Sequence, residues 1–160
     1  MKFRLITAKD DQTLAGIIRQ QLKSHGLALP GTAYTDPELD HLSNFYQGTK
    51  RRYYVVVNED DQVLGGAGFA ELAQTEGVAE LQKLYLSPAA KGSGLSYQIL
   101  DQVERGAKEA GFKQLYLETH TNLKAAIHIY EKAGFKLLDD PLTHPVHQTM
   151  NRFYLKDLQE

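Results

Sequence analysis

Residues 80–96 read ELQKLYLSPAAKGSGLS, and this stretch decides the fold. Its first half has the residues of a short β-strand. A turn follows at Ser87-Pro88, and then a glycine-rich loop, Lys91-Gly92-Ser93-Gly94-Leu95-Ser96, runs straight into a helix. Two glycines let a backbone approach a ligand closely. The helix that follows offers its first unbonded N–H groups to the same place, a geometry that binds phosphate.

Downstream of the loop, Leu95, Ile99, Val103 and Ala107 form an i, i+4 stripe, which predicts a helix over 95–110 ended by Gly111. A strand is expected over 113–118, a helix over 122–133 closed by Gly134, and strands over 135–138 and 148–155. Upstream, residues 53–57 and 63–72 read as a hairpin turning at Asn58-Glu59-Asp60-Asp61. Gly65, Gly66 and Gly68 in its second arm mark a bulge or a close backbone approach. Residues 2–7 alternate as a first strand. Leu14, Ile17, Ile18 and Leu22 put a helix over 10–23, with Gly26 as its stop, and Pro37 opens a second helix over 37–46. The order is β-α-α-β-β-β-α-β-α-β-β. The strand–helix–strand unit from 79 to 118 implies one parallel pair with a right-handed crossover. The hairpins imply antiparallel neighbours. The expected fold class is α/β, a mixed, mostly antiparallel seven-stranded sheet with helices on both faces, in a single domain over residues 3–157.

Bulk composition narrows the function classes. With 160 residues the chain suits one domain. It contains no cysteine, which excludes disulfides, thiolate metal sites and a cysteine nucleophile. Its formal net charge of −2 gives no electrostatic case for nucleic acid, and the cluster Lys50-Arg51-Arg52 reads as a solvated strand entrance. No apolar run suits a signal peptide or a bilayer span, so the expected setting is cytoplasmic, with neither membrane nor nucleic acid as partner.

Three phosphate-loop patterns compete for residues 91–96. A Walker loop finds no match, and a dinucleotide fingerprint lacks its third glycine. The third pattern is Gln/Arg-x-x-Gly-x-Gly/Ala between a strand and a helix. Here Lys91 stands in the Gln/Arg place and Ser96 in the final small-residue place. A second motif follows the fifth strand, with Asn122, Ala126, Tyr130, Gly134 and Phe135 at matching spacing. On both motifs the chain resembles the GCN5-related N-acetyltransferase superfamily over nearly its whole length. The resemblance implies the acyl-CoA N-acyltransferase fold, whose central parallel strands splay apart. It implies acetyl-CoA as co-substrate, its pyrophosphate on Lys91, Gly92, Ser93, Gly94, Leu95 and Ser96. The pantetheine would lie along Leu84, Tyr85 and Leu86, with Asn122 and Tyr130 also at the cofactor. It further implies an acceptor amine from a small molecule or a protein, a homodimer in many relatives, and no metal.

Amine acetylation needs a proton acceptor, a polarised carbonyl and a proton for the departing thiolate. By motif position Tyr130 is the acid, and the N–H groups near Tyr85 and Leu86 are the oxyanion donors. Glu80 is the leading base; Glu118 and His120 are rivals at the end of the fifth strand. Alternation puts Glu80 on one strand face with Gln82 and Leu84. Tyr34 and Asp36 sit where relatives build acceptor specificity, Asp36 either attracting a cationic amine or capping the second helix. His144 and His147 flank a proline-broken loop, more suited to shaping an acceptor pocket than to holding a metal. The leading reading is direct acetyl transfer in a ternary complex; the alternative is a non-catalytic acyl-CoA-binding regulatory module.

Overall fold

The computed structural model describes residues 1–92, 94–144 and 147–158. Seven strands make one sheet in the order β1-β2-β3-β4-β5-β7-β6. They are β1 (Lys2–Leu5), β2 (Arg52–Val57), β3 (Val63–Glu71), β4 (Val78–Leu86), β5 (Gln114–Thr119), β6 (Lys136–Leu138) and β7 (Arg152–Asp157). Every neighbouring pair is antiparallel except β4 and β5, as the sequence implied.

Helices cover both faces. Helix α1 (Asp11–Ser24) buries Leu14, Ile18 and Leu22 against Tyr53, Val55 and Val57 of β2. Helix α3 (Leu95–Glu109) lies on the opposite face, where Leu95, Ile99, Val103 and Ala107 meet Val56, Phe69 and Leu81. Helix α4 (Lys124–Lys132) packs beside it through Tyr130. Each fully buried Leu, Ile or Val contributes about 1.5–3 kcal/mol. Strand β2 serves both cores by alternation, which is why its run of six residues carries almost no polar side chain. The basic cluster at its entrance is paired rather than merely solvated. Lys50 donates to the Ala110 carbonyl, Arg51 pairs with Glu71, and Arg52 pairs with Glu109.

The expected helix over 37–46 is broken. Asp36 is extended, Leu39–His41 is a 3₁₀ turn, and only α2 (Leu42–Phe45) is helical. The segment is shaped by what it reaches. The Asp11 carboxylate accepts from the Ser43 N–H and hydroxyl at 2.9 and 2.6 Å, and Leu39 and Leu42 fill the core beneath α1. Tertiary burial outweighs the local helix signal.

Two of the three glycines of β3, Gly66 and Gly68, share one cause, whereas Gly65 is crowded by Tyr85 and Leu86 of β4. The Tyr53 ring lies across this strand, and its hydroxyl donates to the Lys83 carbonyl of β4 at 2.7 Å. A Cβ on Gly68 would come within 2.5 Å of the Arg52 carbonyl oxygen and 2.7 Å of Tyr53 Cδ2, and one on Gly66 would strike the same ring. Gly68→Ala should therefore cost about 1–3 kcal/mol of stability by overpacking. A urea titration would show a lower midpoint with unchanged slope; a midpoint equal to the parent's would mean that the ring moves aside freely.

Candidate active site

The β4–β5 ladder is short. Val78, Ala79 and Glu80 pair with Gln114, Leu115 and Tyr116, and beyond Glu80 no pairing continues. The two strands part there, as the family resemblance implied. A cavity of about 250 Å³ occupies the gap, lined by Leu84, Tyr85 and Leu86 on one side and Leu117, Glu118 and Thr119 on the other.

Strand β4 does not alternate through this region. Gln82 pairs with Gly68 and Tyr85 with Gly66, so Lys83 and Leu84 together oppose Ala67 in a bulge. Lys83 has φ +52°, a left-handed conformation that costs a lysine about 1–2 kcal/mol. The extra residue changes the facing of everything after it. Leu81, Leu84 and Leu86 all pack toward α3, whereas Tyr85 packs toward α1. The expected shared face of Glu80, Gln82 and Leu84 is thereby corrected: Gln82 bonds Glu80 at 2.9 Å and Tyr46 beneath α1 at 2.6 Å, while Leu84 turns the other way.

The glycine loop closes one end of the cavity. Gly92 and Gly94 adopt φ +79° and +76°, and a Cβ at either would meet open space. Glycine is required there by conformation, not by crowding. Leu95, buried, anchors the first turn of α3, and Ser96 and Gly92 face the cavity. Ser93 lies outside the described residues. Lys91 also lines the cavity, and its ammonium donates to the Gln21 side-chain oxygen at 2.7 Å. Gln21 and His25 reach the cavity from α1 and were not anticipated. A usable signal existed: Gln21 is a polar residue on the apolar face of that helix, next to Leu22.

Tyr130 lines the cavity from α4, held between Phe135 and Tyr154, and burial pushes its phenol well above the ordinary value. Glu118 faces the cavity from β5 and accepts from the Tyr116 hydroxyl at 2.9 Å. Burial, then the charge of Glu80, push its carboxyl up to about 7; the Tyr116 bond and the nearness of His147 hold it from going higher. Glu80 sits at the last rung of the ladder, opposite Tyr116, and is not part of the cavity wall. Burial raises its carboxyl as well, against the bond from Gln82.

The remaining anticipated residues take other places. Asn122 donates its side-chain amide to the His25 carbonyl at 3.0 Å and ties α4 to the end of α1. The His120 ring accepts from the Asn122 N–H at 3.0 Å in the turn before α4. Tyr34 is half-buried against the α1 core. Asp36 is no exposed cap. Its side chain is 9% exposed, with one oxygen 2.9 Å from Lys83 Nζ and the other 2.7 Å from His147 Nε2. Burial would raise its carboxyl, yet the His147 bond and the Lys83 charge outweigh this and hold it below the usual range. Pro145 and Val146, between His144 and His147, lie outside the described residues. Among the described residues no cluster of three His, Asp or Glu side chains could hold a metal ion.

The raised Glu118 carboxyl makes stability depend on pH. The folded chain holds this proton more tightly than the unfolded chain, so the native state binds more protons between about pH 4.5 and about 7, and stability falls as pH rises through that window. Glu118→Gln should flatten this decline and raise the melting temperature at pH 8 relative to the parent. Parallel melting curves for the two proteins from pH 4.5 to 8 would contradict the assignment.

Comparison with known proteins agrees with this geometry. Residues 20–135 match the Acetyltransferase (GNAT) family. The chain is 41% identical to the uncharacterized N-acetyltransferase YjgM of Escherichia coli over 138 residues, covering 85% of this chain and 82% of that one. A GNAT-family acetyltransferase structure from Staphylococcus aureus superposes with a TM-score of 0.87 at 20% identity, covering 99% of both chains. The structure of yncA, a putative acetyltransferase of Salmonella typhimurium with its cofactor acetyl-CoA, gives 0.77 at 20% identity, covering 100% of this chain and 95% of that one. The splayed strand pair, the glycine loop and the match over most of the sequence place this chain in the GNAT acetyltransferase family.

Proposed function

We propose that the chain transfers an acetyl group from acetyl-CoA to a primary amine by direct attack in a ternary complex. One observation carries the reading: one cavity joins a glycine-framed helix start to a half-buried carboxylate, Glu118, which burial and the Glu80 charge push upward. The residues suit the co-substrate. Open space beside Gly92 and Gly94 admits a pyrophosphate, which the first turn of α3 favours. Beyond Glu80, β4 has no ladder partner toward β5, so an amide-bearing arm can add to its edge as a strand would. Bound there, acetyl-CoA supplies the acetyl group and a thiolate leaving group.

The protein's side chains divide the proton work. Glu118 takes a proton from the acceptor ammonium and frees the nitrogen lone pair; a carboxyl near 7 is matched to that task at neutral pH. The nitrogen then bonds to the carbonyl carbon as the carbon–sulfur bond breaks. Backbone N–H groups near Tyr85 and Leu86 are the donors for the developing oxyanion. Tyr130, kept protonated by burial, gives its hydroxyl proton to the departing sulfur, and its phenoxide takes back the surplus proton of the newly acylated nitrogen, which leaves the neutral amide and free thiol. Glu80 acts on Glu118 through its charge rather than on the amine. With no cysteine in the chain, no thiol-borne acyl-enzyme stands between the two substrates.

The deciding experiment is thiol release from acetyl-CoA with spermidine, L-lysine and a peptide bearing a free N-terminal alanine. Turnover on one or more supports the proposal; binding of acetyl-CoA without release on any would make the chain a binding module. Tyr130→Phe should lower kcat by about 100-fold with acetyl-CoA affinity nearly unchanged. An unaltered kcat would reduce Tyr130 to a packing role. The parent's kcat/KM should rise with pH through about 7. Glu118→Gln should abolish that limb. Glu80→Gln should instead move it to lower pH, because removing the Glu80 charge lowers the Glu118 carboxyl. Loss of the limb in Glu80→Gln alone would exchange the two roles.

A further inference from the structure

Lys83 is the one cavity-lining residue, among those described, whose backbone is held in the left-handed region without being glycine. A lysine has no conformational reason to be there, and such outliers persist where surrounding contacts over-determine them. Two contacts do so here. The Tyr53 hydroxyl holds the Lys83 carbonyl at 2.7 Å. The ammonium, on a side chain only 5% exposed, reaches Asp36 at 2.9 Å, with Glu38 at 3.7 Å. Asp36 is itself fixed by His147 at 2.7 Å. Three distant segments thus meet on one buried carboxylate: the β4 bulge, the extended residue after the 3₁₀ turn at Ala33–Thr35, and the stretch before β7.

The bulge is what turns residues 84–86 about, on the stretch of β4 that has no pairing with β5. We propose that Asp36 is a positioning residue for the cofactor strand: acting through Lys83, it holds the β4 bulge in the conformation that presents residues 84–86 to the cavity. Asp36 does not line the cavity; one of its oxygens bonds His147, and the other lies 2.9 Å from the Lys83 ammonium as an ion pair. Its effect falls on a strand and a substrate that it does not contact.

Removing Asp36 alone leaves a buried ammonium without its carboxylate, and Lys83 is then driven out of its place. Glycine at 83 adopts φ +52° without help, so it removes the need for the ion pair while keeping the bulge. Acetyl-CoA titrated onto the full-length chain by calorimetry should bind about tenfold more weakly to Asp36→Asn. The double variant Asp36→Asn/Lys83→Gly should recover to within about threefold of the parent, a non-additive rescue that loss of general stability does not produce. Parent-like affinity in Asp36→Asn, or a double variant no tighter than the single one, overturns the proposal. Should Asp36→Asn fail to fold, the double variant decides alone: folded and binding supports it, folded and not binding overturns it. The inference relies on the acetyl-CoA reading only for the ligand titrated. Were acetyl-CoA not to bind the parent, that reading would fail, and amide exchange over residues 81–86 in the ligand-free proteins would decide this one. Faster exchange in Asp36→Asn, restored in the double variant, supports it; unchanged exchange in Asp36→Asn overturns it.

Discussion

The Tyr53 hydroxyl bonded to the Lys83 carbonyl is the contact on which the site depends. It joins β2 to β4 across the strand between them, and it requires that strand to carry glycines where the ring passes. The bond also clamps β4 at the residue where its pairing slips by one. Past that slip the strand's side chains change faces, its pairing with β5 having already ended at Glu80. The gap that follows is the cavity. A single tyrosine, two glycines and one bulge thus shape the β4 wall of the cleft.

Much of this was legible in the sequence. The apolar stripes of α1 and α3, the glycine loop, the succession of elements along the chain and the parallel pair follow from periodicity and spacing, and the structure has them with shifts of one to a few residues at the ends. The glycines of β3 announced a close approach, although nothing in the sequence said that Tyr53 was the visitor. The failures share a cause. The face of Leu84, the broken helix after Pro37 and the burial of Asp36 all depend on contacts made across the fold. Period-two alternation assumes a regular strand, and one extra residue reverses every inference downstream of it. A lysine gives no local warning that it will sit in such a place.

Glu118 illustrates the same limit for chemistry. Its sequence neighbours give no reason to rank it above Glu80. What separates them is environment: one carboxylate faces the cavity beside the charge of the other, which is held by Gln82 at the closed end of the ladder. Two like charges this close cannot both ionise freely, and on the proposed function that difference of environment is what assigns the base role to Glu118 and not to Glu80.

The Lys91–Gln21 bond has a consequence of its own. A carboxylate in place of Gln21 would compensate the ammonium and leave an arriving anion to compete with it. A neutral amide cannot do this. It fixes the direction of a long side chain whose ordering otherwise costs up to about 1.5–2 kcal/mol, and it leaves the positive charge whole. The lysine is thus aimed but not discharged, and on the proposed function part of the entropy of binding is spent at the time of folding.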